Sequence, residues 1–248
     1  MFLDIKSVGN IRDLGGIKTK DGKIIKSKCL LRSGDLHNLS KSDKKILYED
    51  YNLKLIIDFR SSKSFLTKKD ILEKDTIYKH IHVLDELETT SYSRKIKHPK
   101  EFFIHVYESL AVCPEAAIAY QNFFRWIINN KEGAILYHCT SGKDRTGIAT
   151  SLLLHILGCD KETIYKEYLL SNEYTMPLYV EALSKVENIT KYDQEYYETF
   201  YICKKEFIDA YFEAIDKNFG SLDQYLYKYI KISDDDIITL KEKFLREP

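Results

Sequence analysis

The sequence predicts an α/β domain: a central, mostly parallel sheet flanked by helices, with a helical C-terminal portion. Three observations point there. The apolar run at 134–137 is followed by a short loop holding Gly142 and then by a helix-like apolar run at 148–157, the strand–loop–helix order of α/β units. A second apolar run of strand length lies upstream at 53–59. From Asn172 onward the chain is rich in Tyr, Glu and Lys, with helical spacing around 204–218. A chain of 248 residues fits one large domain or two small ones. No Ser/Gly-rich, Pro-rich or single-sign charge tract offers a linker, so one domain over 1–248 is expected.

The elements follow in order. Gly9, Gly15, Gly16, Gly22 and Gly34 punctuate the N-terminal quarter, which reads as loops and short strands at 23–25 and 30–31. Ser40 caps a helix over 41–51. The strand at 53–59 comes next, then one at 78–83 with His80 and His82 on one face. Two histidines raise a metal site, but no third ligand accompanies them. Cys113-Pro114-Glu115 opens a helix with proline in its first turn; its apolar face is Ala116, Tyr120, Phe123, Phe124 and Ile127, and Asn129, Asn130 and Gly133 close it. Gly158 ends the 148–157 helix. Further helices are expected over 161–170, over 204–218, from Ser221, and over 234–244. The tyrosines crowded between 165 and 229 read as core and boundary residues.

Residues 138–147 read His-Cys-Thr-Ser-Gly-Lys-Asp-Arg-Thr-Gly. This stretch carries chemistry. A tight loop that enters a helix can turn several backbone N–H groups on one anion, and the helix dipole adds its positive end there. Ser141 and Gly142 supply the small side chains such a curl needs. Arg145 can hold two phosphoryl oxygens in its planar fork. The same field favours thiolate at Cys139, since cysteines at helix N-termini or beside cations fall from about 8.5 to roughly 3.5–7.5. Cys139 is then a nucleophile able to form a phospho-cysteine intermediate. Thr146 is placed to donate to the departing sulfur, and His138 to orient the loop. Cys-x5-Arg alone recurs by chance. The preceding His, the inner Gly and the Thr-Gly ending in a strand–loop–helix setting make it specific. The bland alternative is a buried cysteine closing a core strand.

The stretch His-Cys-x-x-Gly-Lys-Asp-Arg-Thr-Gly resembles the signature of the cysteine-based protein tyrosine phosphatases, and most closely that of the bacterial atypical tyrosine and lipid phosphatases. Other segments are similar to that family: Asn10-Ile11-Arg12-Asp13-Leu14-Gly15-Gly16, Leu31-Arg32-Ser33-Gly34-Asp35-Leu36, Ile56-Ile57-Asp58-Phe59-Arg60-Ser61 (with Phe59 where Leu is usual), Tyr168-Leu169-Leu170-Ser171-Asn172 and Phe219-Gly220-Ser221-Leu222. The resemblance covers most of the chain, leaving 86–110 and 176–205 without a counterpart. It implies a tyrosine-phosphatase-like fold and hydrolysis of phosphotyrosine in proteins, with phosphoserine, phosphothreonine and phosphoinositides as further substrates. A phosphoinositide or inositol phosphate as main substrate is the alternative. Cys139 and Arg145 are the expected catalytic pair, and Thr140, Ser141, Gly142, Lys143 and Thr146 the substrate-binding residues. In the family the loop lysine and aspartate accompany phosphoinositide activity, and Lys143 and Asp144 stand there; alternatively Lys143 raises the potential for any anion. The leaving oxygen needs a general acid. The similarity favours Asp144, then Asp58 at a strand end. For Asp58 the competing reading is an ion pair with Arg60 or Arg12, and for Asp85 a solvated loop residue. The family also suggests that 86–110 and 176–205 form a helical lid. No metal or cofactor is called for.

Composition narrows the field. Thirty-eight basic and 38 acidic residues cancel, so nothing points to general nucleic-acid binding. The five cysteines, Cys29, Cys113, Cys139, Cys159 and Cys203, are odd in number and irregular in spacing, which offers neither a disulfide framework nor a zinc site. The N-terminus lacks a signal-peptide core, and no apolar run approaches the roughly 20 residues of a membrane span. A cytoplasmic protein is expected, or a secreted one if a signal peptide has been removed. Oligomeric state has no signature. Two other classes compete. A rhodanese-like sulfurtransferase also uses a loop cysteine, but the Arg-Thr-Gly ending argues against it. A phospho-ligand binding module has no need of the thiol.

Overall fold

The structure, a computed structural model, describes residues 2–84 and 97–248. Its central sheet has five strands in the order β1-β3-β6-β4-β5: β1 (Arg12–Asp13), β3 (Leu30–Ser33), β6 (Ala134–His138), β4 (Leu53–Asp58) and β5 (Ile77–His80). All neighbours are parallel except β1 on β3, which bears out a mostly parallel sheet. A two-stranded ribbon pairs β2 (Ile24–Ile25) with β7 (Leu245–Arg246). The β5 strand stops at His80, short of the expected 83. Beyond it, Ile81 and Val83 still donate backbone hydrogen bonds to Asp58 and Phe59, so the chain follows β4 without a full ladder.

The strands are apolar because both faces are covered. Leu30, Leu55, Ile57, Ile135 and Tyr137 belong to the larger core, and Leu31, Leu53, Ile56, Ala134 and Leu136 to a smaller one on the opposite face. Alternate positions of each strand thus face opposite cores, as the two-residue period requires, except that an irregularity between Leu53 and Leu55 turns Leu53 to the smaller core with Ile56. The smaller core is roofed by the N-terminal segment and by helix α1 (Lys41–Lys45), which widens into a π turn over Ile46–Asp50. The larger core lies under α3 (Pro99–Val112), α4 (Pro114–Asn129), α5 (Asp144–Leu157), α6 (Lys161–Leu169), α9 (Lys205–Phe219) and α11 (Asp234–Phe244). A short α2 (Ser62–Thr67) follows β4, and α7 (Ser171–Ser184), α8 (Lys191–Tyr201) and α10 (Leu222–Tyr225) complete the set.

Local chemistry starts and stops these helices. Ser40 accepts from the Asp43 amide, Asp160 from that of Thr163, and Thr190 and Ser233 form reciprocal capping boxes with Asp193 and Asp236. Gly158 ends α5 at φ 92°, a left-handed turn that suits glycine. The segments 86–110 and 176–205, which carry no family motif and where helices are expected, hold most of α3 and α7 and all of α8. Of α3, Phe103, Val106, Tyr107, Leu110 and Ala111 are buried, and it packs against α9, α8 and α4. No single described helix is long and apolar enough to cross a membrane.

Candidate active site

The parallel register puts Ser33, His138 and Asp58 side by side, so the loop after His138 leaves from the carboxyl edge of the sheet. That is where open α/β sheets place their chemistry. The loop runs from Cys139 to Lys143, and α5 begins at Asp144. Cys139 is 2% exposed and Arg145 is also buried.

The loop can be this tight only because of residue 142. Gly142 has φ 65°, and a Cβ there would lie 2.3 Å from the Ser33 carbonyl oxygen and 2.7 Å from the Gly34 nitrogen. No rotamer relieves a clash with backbone. Around this turn, every carbonyl from Thr140 to Gly142 is engaged from the N-terminal segment. Asp35 N–H donates to Thr140 O (3.1 Å). Asn10 Nδ2 donates to Ser141 O (3.1 Å) and Gly142 O (3.0 Å). Arg32 Nη2 donates to Gly142 O at 2.6 Å. An anion entering the loop therefore does not face carbonyl lone pairs that still seek donors.

Asn10 and Arg32 are themselves held by a buried ion network. Glu167 of α6 takes Arg12 Nε at 2.7 Å on one oxygen and Arg32 Nη1 at 2.6 Å on the other. Arg12 also donates to the Asn10 side chain (2.5 Å), to Glu167 O and to Ser171 Oγ. Burial and the neighbouring Arg32 lower the Arg12 pKa, and the Glu167 charge opposes them. Each cation meets a carboxylate, which is what makes buried charge tolerable.

A second buried network backs His138 and Asp58. Arg60 clamps Asp58 with Nε and Nη2 (2.7–3.0 Å) and reaches Asp70 with Nη2 at 2.7 Å. The Tyr78 hydroxyl donates to both carboxylates. His138 Nε2 lies 3.1 Å from Asp70 Oδ2, an ion-pair contact off hydrogen-bond alignment, and its Nδ1 lies 3.8 Å from Asp58 Oδ1. Burial opposes charge on His138, but Asp58 and Asp70 outweigh it and raise its pKa to about 9. For Asp58, burial is outweighed by His138 and Arg60, and its pKa falls below the ordinary carboxylate range. Asp58, Asp70 and His138 have the spacing of a cation site, but the Arg60 guanidinium already sits on both carboxylates.

Among the residues singled out from sequence, Arg145 Nη1 donates to Phe59 O (3.3 Å) and Nη2 to Thr140 Oγ1 (3.4 Å). Asp144 receives the Tyr107 hydroxyl on Oδ1 at 2.6 Å. Lys143 is 2% exposed, with Nζ 3.0 Å from Asp144 Oδ1, off hydrogen-bond alignment, and 5.1 Å from the Phe103 ring centre. Among the described residues Thr146 Oγ1 is buried without a hydrogen-bond partner, so the expected bond to Cys139 sulfur is not formed. Asp58 is with Arg60, not Arg12. His80 Nε2 donates to Arg60 O and the ring stacks on Phe65, which accounts for it without a metal. Asp85 and part of the 86–110 segment lie outside the described residues. Glu167, Asp70 and Tyr107 were missed altogether, while Asn10 and Arg32 had been noticed only as parts of motifs.

Comparison with known proteins gives the family. The model of the tyrosine phosphatase family matches residues 3–246, and the chain belongs to that family. It is 26% identical over 251 residues to a Cupriavidus necator protein named "Putative tyrosine-protein phosphatase", covering 98% of this chain and 88% of that one. It is 28% identical to a tyrosine-protein phosphatase of Nostoc commune over 60% of this chain and 50% of that one. It is 30% identical to the triple specificity protein phosphatase PtpB of Mycobacterium tuberculosis over 37% of each.

Proposed function

We propose that this tyrosine phosphatase family member, acting as one domain, hydrolyses phosphotyrosine in proteins through a phospho-cysteine intermediate. The observation that carries the mechanism is the loop itself: Cys139 and Arg145 stand at the two ends of one turn that opens α5, with its carbonyls tied away to Asn10, Arg32 and the Asp35 amide. The Cys139 sulfur attacks phosphorus, and the bond from phosphorus to the ester oxygen breaks. Asp144 gives its proton to that oxygen. Arg145 and the loop from Thr140 to Lys143 hold the three equatorial oxygens as charge builds on them. Water then attacks the phospho-cysteine, Asp144 takes the proton back, and phosphate leaves. Thr146 Oγ1 has no hydrogen-bond partner among the described residues, and a turn of its hydroxyl toward Cys139 would stabilise the sulfur as it departs.

Asp58 suits a positioning role. Its carboxylate is spoken for by Arg60 and Tyr78, and a group held ionised is a poor proton donor.

Burial of Cys139 supports the substrate class. A phosphoryl group must be carried down to it, and the tyrosine ring makes a longer carrier than a serine or threonine side chain. Phosphoinositides are the second reading. The burial of Lys143 under Phe103 beside Asp144 supports electrostatic assistance to any phosphoryl group over direct reading of a neighbouring one. The test is phosphate release from a phosphotyrosine peptide, a phosphoserine peptide and singly and multiply phosphorylated phosphoinositides, with Cys139→Ser as blank. Preference for phosphotyrosine, with the blank silent, is expected. Faster release from phosphoinositides would overturn the substrate assignment.

A further inference from the structure

The Tyr107 hydroxyl sits where nothing in the motif would put it. Tyr107 lies on α3, 37 residues before Asp144 in sequence, and donates to Asp144 Oδ1 at 2.6 Å. Its oxygen is also 2.8 Å from the Tyr168 hydroxyl of α6. Both rings are fully buried and meet edge to face. Lys143 Nζ lies against the same Asp144 oxygen. Among the described residues no hydrogen bond reaches Asp144 Oδ2.

We propose that Tyr107, backed by Tyr168, is a positioning residue for Asp144, fixing which carboxyl oxygen carries the proton to the leaving group. The inference rests on the reading of Asp144 as general acid. A carboxyl oxygen that accepts a hydroxyl proton and faces an ammonium is a poor place for its own proton, since the proton would meet two donors head on. The protonated carboxyl therefore carries its hydrogen on Oδ2. The Tyr107 bond also locks the side-chain torsion, so Oδ2 faces one direction through the reaction. Burial and the Asp144 charge hold the Tyr107 phenol far above its usual range, so it remains a donor wherever the enzyme works. The Tyr168 hydroxyl contact in turn fixes the Tyr107 rotor.

This role has a kinetic mark that packing lacks. A general acid matters when the leaving oxygen is basic and hardly at all when it is not. Tyr107→Phe keeps the ring contacts with Phe103, Phe207 and Tyr168 and removes only the hydroxyl. The experiment compares kcat/KM of wild type, Tyr107→Phe, Asp144→Asn and the double variant on phenyl phosphate and on 2,4-dinitrophenyl phosphate, with thermal unfolding as a check on folding. Tyr107→Phe should lose at least fivefold more on phenyl phosphate than on the dinitrophenyl ester. In the Asp144→Asn background the same change should lose no more on one ester than on the other. Tyr168→Phe should show the same preference, weaker. Equal losses on the two esters from Tyr107→Phe, while Asp144→Asn alone discriminates between them, would overturn the positioning role and leave the general-acid reading standing. If Asp144→Asn does not discriminate, the general acid is elsewhere and both readings fall.

Discussion

At the residue scale, the loop from Cys139 to Lys143 depends on atoms that only certain side chains supply. Gly142 is required by its left-handed φ and by the Ser33 backbone where a Cβ would go. His138 matters for another reason: beside Arg60 it is a second cation facing Asp58 and Asp70 at the end of β6. That assignment has a sign that can be checked. The folded pKa of His138 is raised to about 9, above the roughly 6.5 of an unperturbed imidazole. The stability its charge contributes is complete below about pH 6.5 and is lost as pH climbs toward 9. Urea unfolding of the wild type should therefore show falling stability between those values. His138→Gln should be less stable at pH 6 and flatter across the window. A variant as steep as the wild type would mean that another group titrates there. Cys139, Arg145 and Asp144 were legible in the sequence because the whole motif lies within ten residues. Asp70 was not, because its partners, Leu36 N–H, Arg60 and Tyr78, are brought together only by the sheet.

At the scale of elements, three separate pieces of chain support the turn from Cys139 to Asp144. The antiparallel pair of β1 and β3 supplies Arg12 and Arg32, helix α6 supplies Glu167, and helix α3 supplies Tyr107. Glu167 joins α6 to the turn through Arg32 and Gly142. Glu167→Gln leaves two buried guanidinium groups without their carboxylate, and breaking a buried pair costs about 3–5 kcal/mol. The expected outcome is a loss of that order in chemical denaturation, together with a fall in kcat. A variant within 1 kcal/mol of wild type by denaturation would show that the network adds nothing to the fold.

The same scale explains which elements the sequence disclosed. Helix α11 runs over Asp234–Phe244, as expected, because a Ser-Asp capping box and a clear apolar stripe mark it. Helix α7 carries Pro177 inside and buries only Ser171 and Thr175. It has neither a stripe nor a breaker at its ends to announce it.

At the scale of the molecule, one sheet with a core on each face delivers β3, β6 and β4 in register, so residues 33, 58 and 138 end level and the loop opens at their common edge. The mostly parallel order was readable from apolar runs of strand length separated by helical patterns. The supporting ion networks were not, since residues 12, 32 and 167 share no local pattern and meet only in the fold. In the proposed mechanism this arrangement serves one event, transfer of a phosphoryl group to Cys139. The most direct measurement is acid quench of the enzyme within the first turnover on a phosphotyrosine peptide, followed by mass spectrometry of the fragment spanning β6 and the loop. A phosphoryl adduct on Cys139 is expected to appear before free phosphate and to be absent from Cys139→Ser. Turnover with the adduct on another residue, or phosphate release from Cys139→Ser at a rate near that of wild type, would contradict that mechanism.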